Sequence, residues 1–157
     1  MASMDSSQPL PNDLATLWYL MRRVTGMMER GGDAVFRTEL NISLAQFLVL
    51  SVVDAHPGPL NQQAIADRLG LTKGTISRQI DTAVTAGWMT VAPSPRNRRE
   101  HTIALTPAGT DLVRRGDTRF EQSRQNMLAT ADPADLRAAI RLLTTMNTNL
   151  ERSLAKL

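Results

Sequence analysis

A mainly α-helical fold with one small β-hairpin is predicted by three observations in this 157-residue chain. Apolar residues recur at helical spacing over most of its length, with strong breaks at His56-Pro57-Gly58-Pro59 and at Gly70. Two short helical patterns meet at Gly70. Between Trp88 and Leu105 the period switches to alternation, around a loop rich in proline and arginine. Two helices about a glycine turn, then a hairpin, make the outline of a winged helix-turn-helix. N- and C-terminal helices flank it.

The elements follow in order. Residues 1–11 are polar and punctuated by proline, and are expected to form a disordered tail. Leu14, Leu17, Trp18, Met21, Val24 and Met28 make one helical stripe that is expected to end near Gly31-Gly32. A shorter segment, Asp33–Leu40, completes an N-terminal helical region over residues 12–42. Ser43-Leu44-Ala45-Gln46 reads as a capping box that starts the next helix, which stops at the proline breaker. A winged helix-turn-helix domain then spans 43–110.

Within that domain Asn61 is a favoured N-cap, followed by Ala64, Ile65 and Leu69 at helical spacing. Ala66 is small where two helices must approach. Gly70 supplies a positive-φ turn, Leu71 is expected to plug the core, and Thr72 can cap the second helix. Ile76, Ile80 and Ala83 share the inward face of that helix. Thr72, Lys73, Gly74, Thr75, Ser77 and Arg78 supply short hydrogen-bonding groups and two cations on the other side. Such groups suit base edges and phosphates in a major groove. Alone, the same pattern fits an ordinary helical hairpin with a solvated polar face.

The hairpin shifts the balance. Trp88–Ala92 and His101–Leu105 are its two strands, and Arg96, Arg98 and Arg99 crowd the loop between them. A cationic loop beside a recognition helix is placed to enter an adjacent minor groove. Beyond it, Thr106-Pro107 opens a helix running to about Ala129, and Asp132-Pro133 starts a last one. In that last helix Leu136, Leu143, Leu150 and Leu157 form one heptad line, with Ile140, Asn147 and Leu154 on the other. Residues 111–157 are therefore expected to serve dimerisation together with 12–42, by pairing across a two-fold axis. A helix lying on its own core is the simpler alternative.

Composition narrows the function. Apolar content is 42% but aromatics only 4%, so Leu, Ile, Val, Ala and eight Met are expected to fill the core. Net charge is +3, and 96–99 alone contribute three cations. The absence of cysteine excludes disulfides and thiolate metal sites. No run approaches the ~20 apolar residues of a membrane span, so a cytoplasmic location is expected. His56 and His101 lie far apart, and no metal-ligand, phosphate-loop, dinucleotide or nucleophile-elbow pattern occurs. No catalytic residue, metal or cofactor is predicted.

The run Gln63–Leu71, then TKGTISRQID, then PRNRREHTIALTPAG resembles the multiple-antibiotic-resistance regulator (MarR) family of bacterial transcription factors. Leu105-Thr106-Pro107-Ala108-Gly109 carries that family's Leu-Thr-x-x-Gly element, and the flanking helices follow its order across residues 12–155. Two departures stand out. Asn97 replaces the acid of the wing tip. The stretch Asp81–Ala86 and Val91 lack expected cations, which predicts weaker or less salt-dependent DNA binding. The resemblance implies a sequence-specific regulator of double-stranded DNA, a homodimer on an inverted-repeat operator, repressing until a ligand releases it. It also implies a small aromatic or anionic effector. Trp18, Met21, Arg22, Phe47 and His56 are candidates for that site, with core packing the simpler role for Trp18, Met21 and Phe47. A winged-helix protein-interaction adaptor is the alternative reading, favoured by the sparse charge after Ile80.

Overall fold

The computed structural model describes residues 11–58, 60–94 and 101–156. The wing-tip arginines Arg96, Arg98 and Arg99, with Asn97, lie outside the described residues, as does the tail through residue 10. Element order is α1 (Pro11–Leu40), α2 (Leu44–Asp54), α3 (Gln62–Leu69), α4 (Lys73–Thr85), β1 (Met89–Pro93), β2 (His101–Leu105), α5 (Pro107–Leu128) and α6 (Pro133–Leu154). The chain forms two compact units, one ending at Thr118 and the other beginning at Arg119. Among the described residues no single helix is long and apolar enough to cross a membrane.

The first unit gathers its core around α2. Phe47, Val49, Leu50 and Val53 of that helix are buried, and Phe47 stacks at a tilt on Phe36 of α1 with ring centroids 4.5 Å apart. Ile65 and Ala66 from α3, and Ile76, Ile80 and Ala83 from α4, close the layer beneath. Met89, Ile103, Leu112 and Val113 complete it. The core is therefore aliphatic around one aromatic pair. Methionine does not fill it as expected: Met89 is buried, whereas Met27, Met28 and Met127 are exposed. Their flexible thioethers sit on helix surfaces instead.

Several starts and stops follow the residues that signal them. Ser43 closes a reciprocal capping box with Gln46, and Asn61 and Thr72 accept the third backbone N–H of their own helices. Gly70 has φ 63°, which a side chain would resist, and its N–H closes the end of α3. Three expectations are corrected. The glycine pair does not break α1, which runs unbroken for 30 residues. Gly32 instead serves close packing, since a Cβ there would lie 2.8 Å from the Leu44 side chain. Leu71 is no core plug but 44% exposed, whereas Ile65, Ala66 and Ile76 on either side of the turn are buried. Trp88 precedes the strand: its N–H bonds the Ala83 carbonyl at 2.9 Å, which holds it in the turn that closes α4.

The hairpin is antiparallel, with Met89 opposite Leu105 and Pro93 opposite His101. Leu60 adds a single bridge on the outer side of β2, where the Ile103 N–H donates to its carbonyl at 2.9 Å. One residue between Pro59 and the Asn61 cap is too short a signal for a strand to be read from sequence.

Asp33 ties the two first helices together. Its carboxylate accepts from Arg37 Nε at 2.6 Å and from the Leu44 N–H at 3.0 Å. The Arg37 hydrogen bond, then the Leu44 N–H, hold this carboxyl below its ordinary value. A depressed carboxylate contributes stability that is present above its unfolded value of about 3.9 and lost as pH falls through the folded one. Asp33→Asn should therefore lower the urea midpoint at pH 7, and the difference from the parent should shrink as pH falls below about 3.9. Equal midpoints at pH 7 would show that the charged contact is inert.

Candidate nucleic-acid interface

The interface is built on α4. Thr72, with extended backbone, accepts the Thr75 N–H at 3.2 Å, and the two hydroxyls lie 2.9 Å apart. Both threonines are thereby committed to the helix start, so Thr75 is half-buried. Ser77 is half-buried too, while Thr72, Lys73, Gly74 and Arg78 are exposed. At 100° per residue the line opposite Ile76 and Ile80 runs through Gly74, Arg78, Asp81 and Thr85. All four are exposed.

The far end of α4 is fixed by the Leu105–Gly109 run. Gly87, at φ 79°, turns the chain out of the helix. The Thr106 hydroxyl donates to the Gly87 carbonyl at 2.7 Å, and the Thr106 N–H donates to the Trp88 carbonyl at 3.0 Å. The same hydroxyl accepts the Gly109 N–H at 3.1 Å, so one side chain caps α5 and clamps the end of α4. Gly109 is required by contact: a Cβ there would sit 2.1 Å from the Trp88 carbonyl oxygen. These contacts tie the start of α5 to the turn that follows α4.

The chemistry offered is a capped helix start, two cations and an exposed polar line, on a helix whose opposite side is fully packed. A helix presented in this way fits a B-form major groove. Arg96, Arg98 and Arg99 extend the interface only through sequence, being outside the described residues. Helical phase also places Asp81, which the sequence shows only as part of a gap in positive charge, beside Arg78.

The five effector candidates are not brought together. Trp18, Met21 and Arg22 line a shallow groove on α1 with Glu29 and Arg30, and Trp18 is 65% exposed. Phe47 is a core residue at 1% exposure. His56 is half-buried at the end of α2, its Nδ1 2.7 Å from the Gly58 carbonyl oxygen, in a separate hollow beside Ile103 and Leu105.

Comparison with known proteins agrees with this geometry. Residues 40–100 match the MarR family model, covering α2 through β1. A MarR/EmrR family transcriptional regulator from Acinetobacter sp. ADP1 superposes with TM-score 0.81 at 17% identity, covering 92% of this chain and 99% of that one. A MepR–DNA complex from S. aureus gives 0.77 at 22%, covering 84% and 94%. A mutant MarR from E. coli with operator DNA gives 0.76 at 21%, covering 88% and 99%. A search of curated protein sequences gives no match.

Proposed function

We propose that this chain, which carries a MarR family domain over residues 40–100, is a sequence-specific double-stranded DNA-binding transcriptional regulator. The observation that carries the reading is α4 itself. Its inner face is packed, its start is capped by Thr72, and its outer line presents Arg78. Two of the structures it resembles are described as DNA complexes. The domain over 43–110 binds DNA, and 12–42 with 111–157 hold a homodimer. Support for the dimer comes from apolar lines left exposed on separate helices: Leu14, Trp18 and Met28 on α1, and Leu136, Ile140, Leu143, Leu150 and Leu154 on α6. An apolar surface of that extent favours a protein partner.

The regulator acts as a repressor released by a small aromatic or anionic molecule. Trp18, Met21 and Arg22 support that reading by placing an aromatic ring and a cation in one groove. Phe47 takes no part without rearrangement of the core.

Arg78→Ala tests the DNA reading. Loss of a good base contact costs about 1–3 kcal/mol and relaxes sequence preference at that position. Arg99→Ala should instead weaken binding through the minor groove and lower its salt dependence. Binding of both variants to the selected duplex at parental strength would remove α4 and the wing from the interface.

A further inference from the structure

The outer line of α4 holds an acid. Asp81 lies one turn beyond Arg78, on the face opposite Ile76 and Ile80, and is exposed. The hydroxyls around it are already used. Thr82 Oγ1 donates to the Arg78 carbonyl, and Thr85 Oγ1 donates to the Asp81 carbonyl, each at 2.9 Å. Gly74 has no side chain. The threonine hydroxyls can still accept, and the charged hydrogen-bonding groups along this line are one cationic donor, Arg78, and one anionic acceptor, Asp81. Among the described residues no cation pairs with the Asp81 carboxylate.

Nothing in the helix rewards an acid at this place. Aspartate has poor helix propensity, and in the second half of a helix it faces the unfavourable end of the dipole. It also contributes nothing to the core. Against a phosphate backbone a carboxylate is repelled. It gains only where the groove presents a donor. In the major groove the donors are exocyclic amines: cytosine N4 and adenine N6. Adenine places the N7 acceptor beside its amine, which opposes a second acceptor. Cytosine does not.

Resting on the DNA reading above, we propose that Asp81 is a specificity-determining residue, accepting a hydrogen bond from a cytosine amine in the major groove next to the contact made by Arg78. Where that cytosine is absent the carboxylate meets no donor, and its repulsion of phosphate remains. Asp81 therefore lowers affinity for DNA in general and leaves it high for one set of sequences. This gives the sparse positive charge after Ile80 a function. The recognition helix trades raw attraction for discrimination.

The test selects sites from a pool of random duplexes with the parent, Asp81→Ala and Asp81→Asn. Binding to the parent's selected duplex and to a scrambled duplex of equal length and composition is then measured. Asp81→Ala should lose a cytosine preference at one position in each half-site and bind the scrambled duplex more tightly. The ratio between the two duplexes should fall by roughly tenfold or more. Asp81→Asn, which can donate as well as accept, should move the preference at that position towards adenine. Because the residue is exposed and Asp81→Ala gains helix propensity, neither variant should melt below the parent, so that a loss of discrimination reports the interface and not unfolding. If the parent and Asp81→Ala select the same site with the same ratio, the assignment is overturned while the DNA reading stands. If the parent selects no site at all, both fall.

Discussion

A single methyl group at position 109 should lower the unfolding midpoint by roughly 10 °C. Gly109→Ala would set a Cβ 2.1 Å from the Trp88 carbonyl oxygen, more than an ångström inside contact distance. The obstacle is backbone, so no side-chain rotation relieves it. Trp88 cannot retreat freely, because its carbonyl accepts the Thr106 N–H and its own N–H closes α4. Overpacking costs about 1–3 kcal/mol, and a strained or lost buried hydrogen bond adds about 1 more. For a chain of this size each kcal/mol moves the midpoint by about 2–4 °C. Gly116→Ala should behave similarly, since its Cβ would fall 2.3 Å from the ring of Phe47, which is packed on Phe36. Gly31→Ala is the control. It meets nothing within 4 Å and should be neutral or stabilising by about 0.5–1 kcal/mol. Calorimetry on the three variants settles the matter: a midpoint for Gly109→Ala within 2 °C of the Gly31→Ala value would mean that the clamp yields at little cost.

Binding to DNA should collapse when the two halves of the preferred site are moved apart by about five base pairs. In the proposed homodimer, two recognition helices related by a two-fold axis would meet half-sites one helical turn apart, about 34–36 Å centre to centre. Half a turn of extra spacing puts them on opposite sides of the duplex. One subunit then loses its base contacts, and affinity should fall to the non-specific level, roughly a thousandfold or more below the parental site. A full extra turn restores the phase but stretches the distance. It should recover binding only if the proposed dimer can open to that distance. Footprinting on the spacer series reads this directly, and equal protection at every spacing would sink the rigid-pair dimer. Replacing Leu143 and Leu150 by glutamate should abolish the spacing dependence, because charged residues in an apolar helix line separate the protomers.

Local chemistry was legible wherever it acts within a few residues. The caps at Ser43, Asn61, Thr72 and Asp132, the turn at Gly70 and the inward line Ile76–Ile80–Ala83 follow from side-chain reach and helical period. So does the hairpin, apart from a shift of one residue at each end of its first strand. The polar face of α4 could be read in the same way, which is why most of the candidate interface was visible before any fold was known.

Contacts between distant residues were not legible, because a glycine reads identically whether it breaks a helix, turns a chain or makes room. Gly31-Gly32 looked like a stop, and only the approach of Leu44 shows that Gly32 is a contact point inside a continuous helix. Gly109 was marked only as part of the Leu-Thr-x-x-Gly element and Gly116 by nothing, yet each lies against a group that a methyl would displace. Leu71 and most of the methionines read as inward by hydrophobicity, but Leu71, Met27, Met28 and Met127 are exposed. Phe47 was a ligand candidate by type until its ring was found against Phe36. By itself the sequence determined the helices, their caps and the chemistry of the α4 face, since these depend on dihedral preference and period. Tertiary structure alone decided which apolar groups share the core and which glycines are indispensable, since those depend on volume that only the assembled chain encloses.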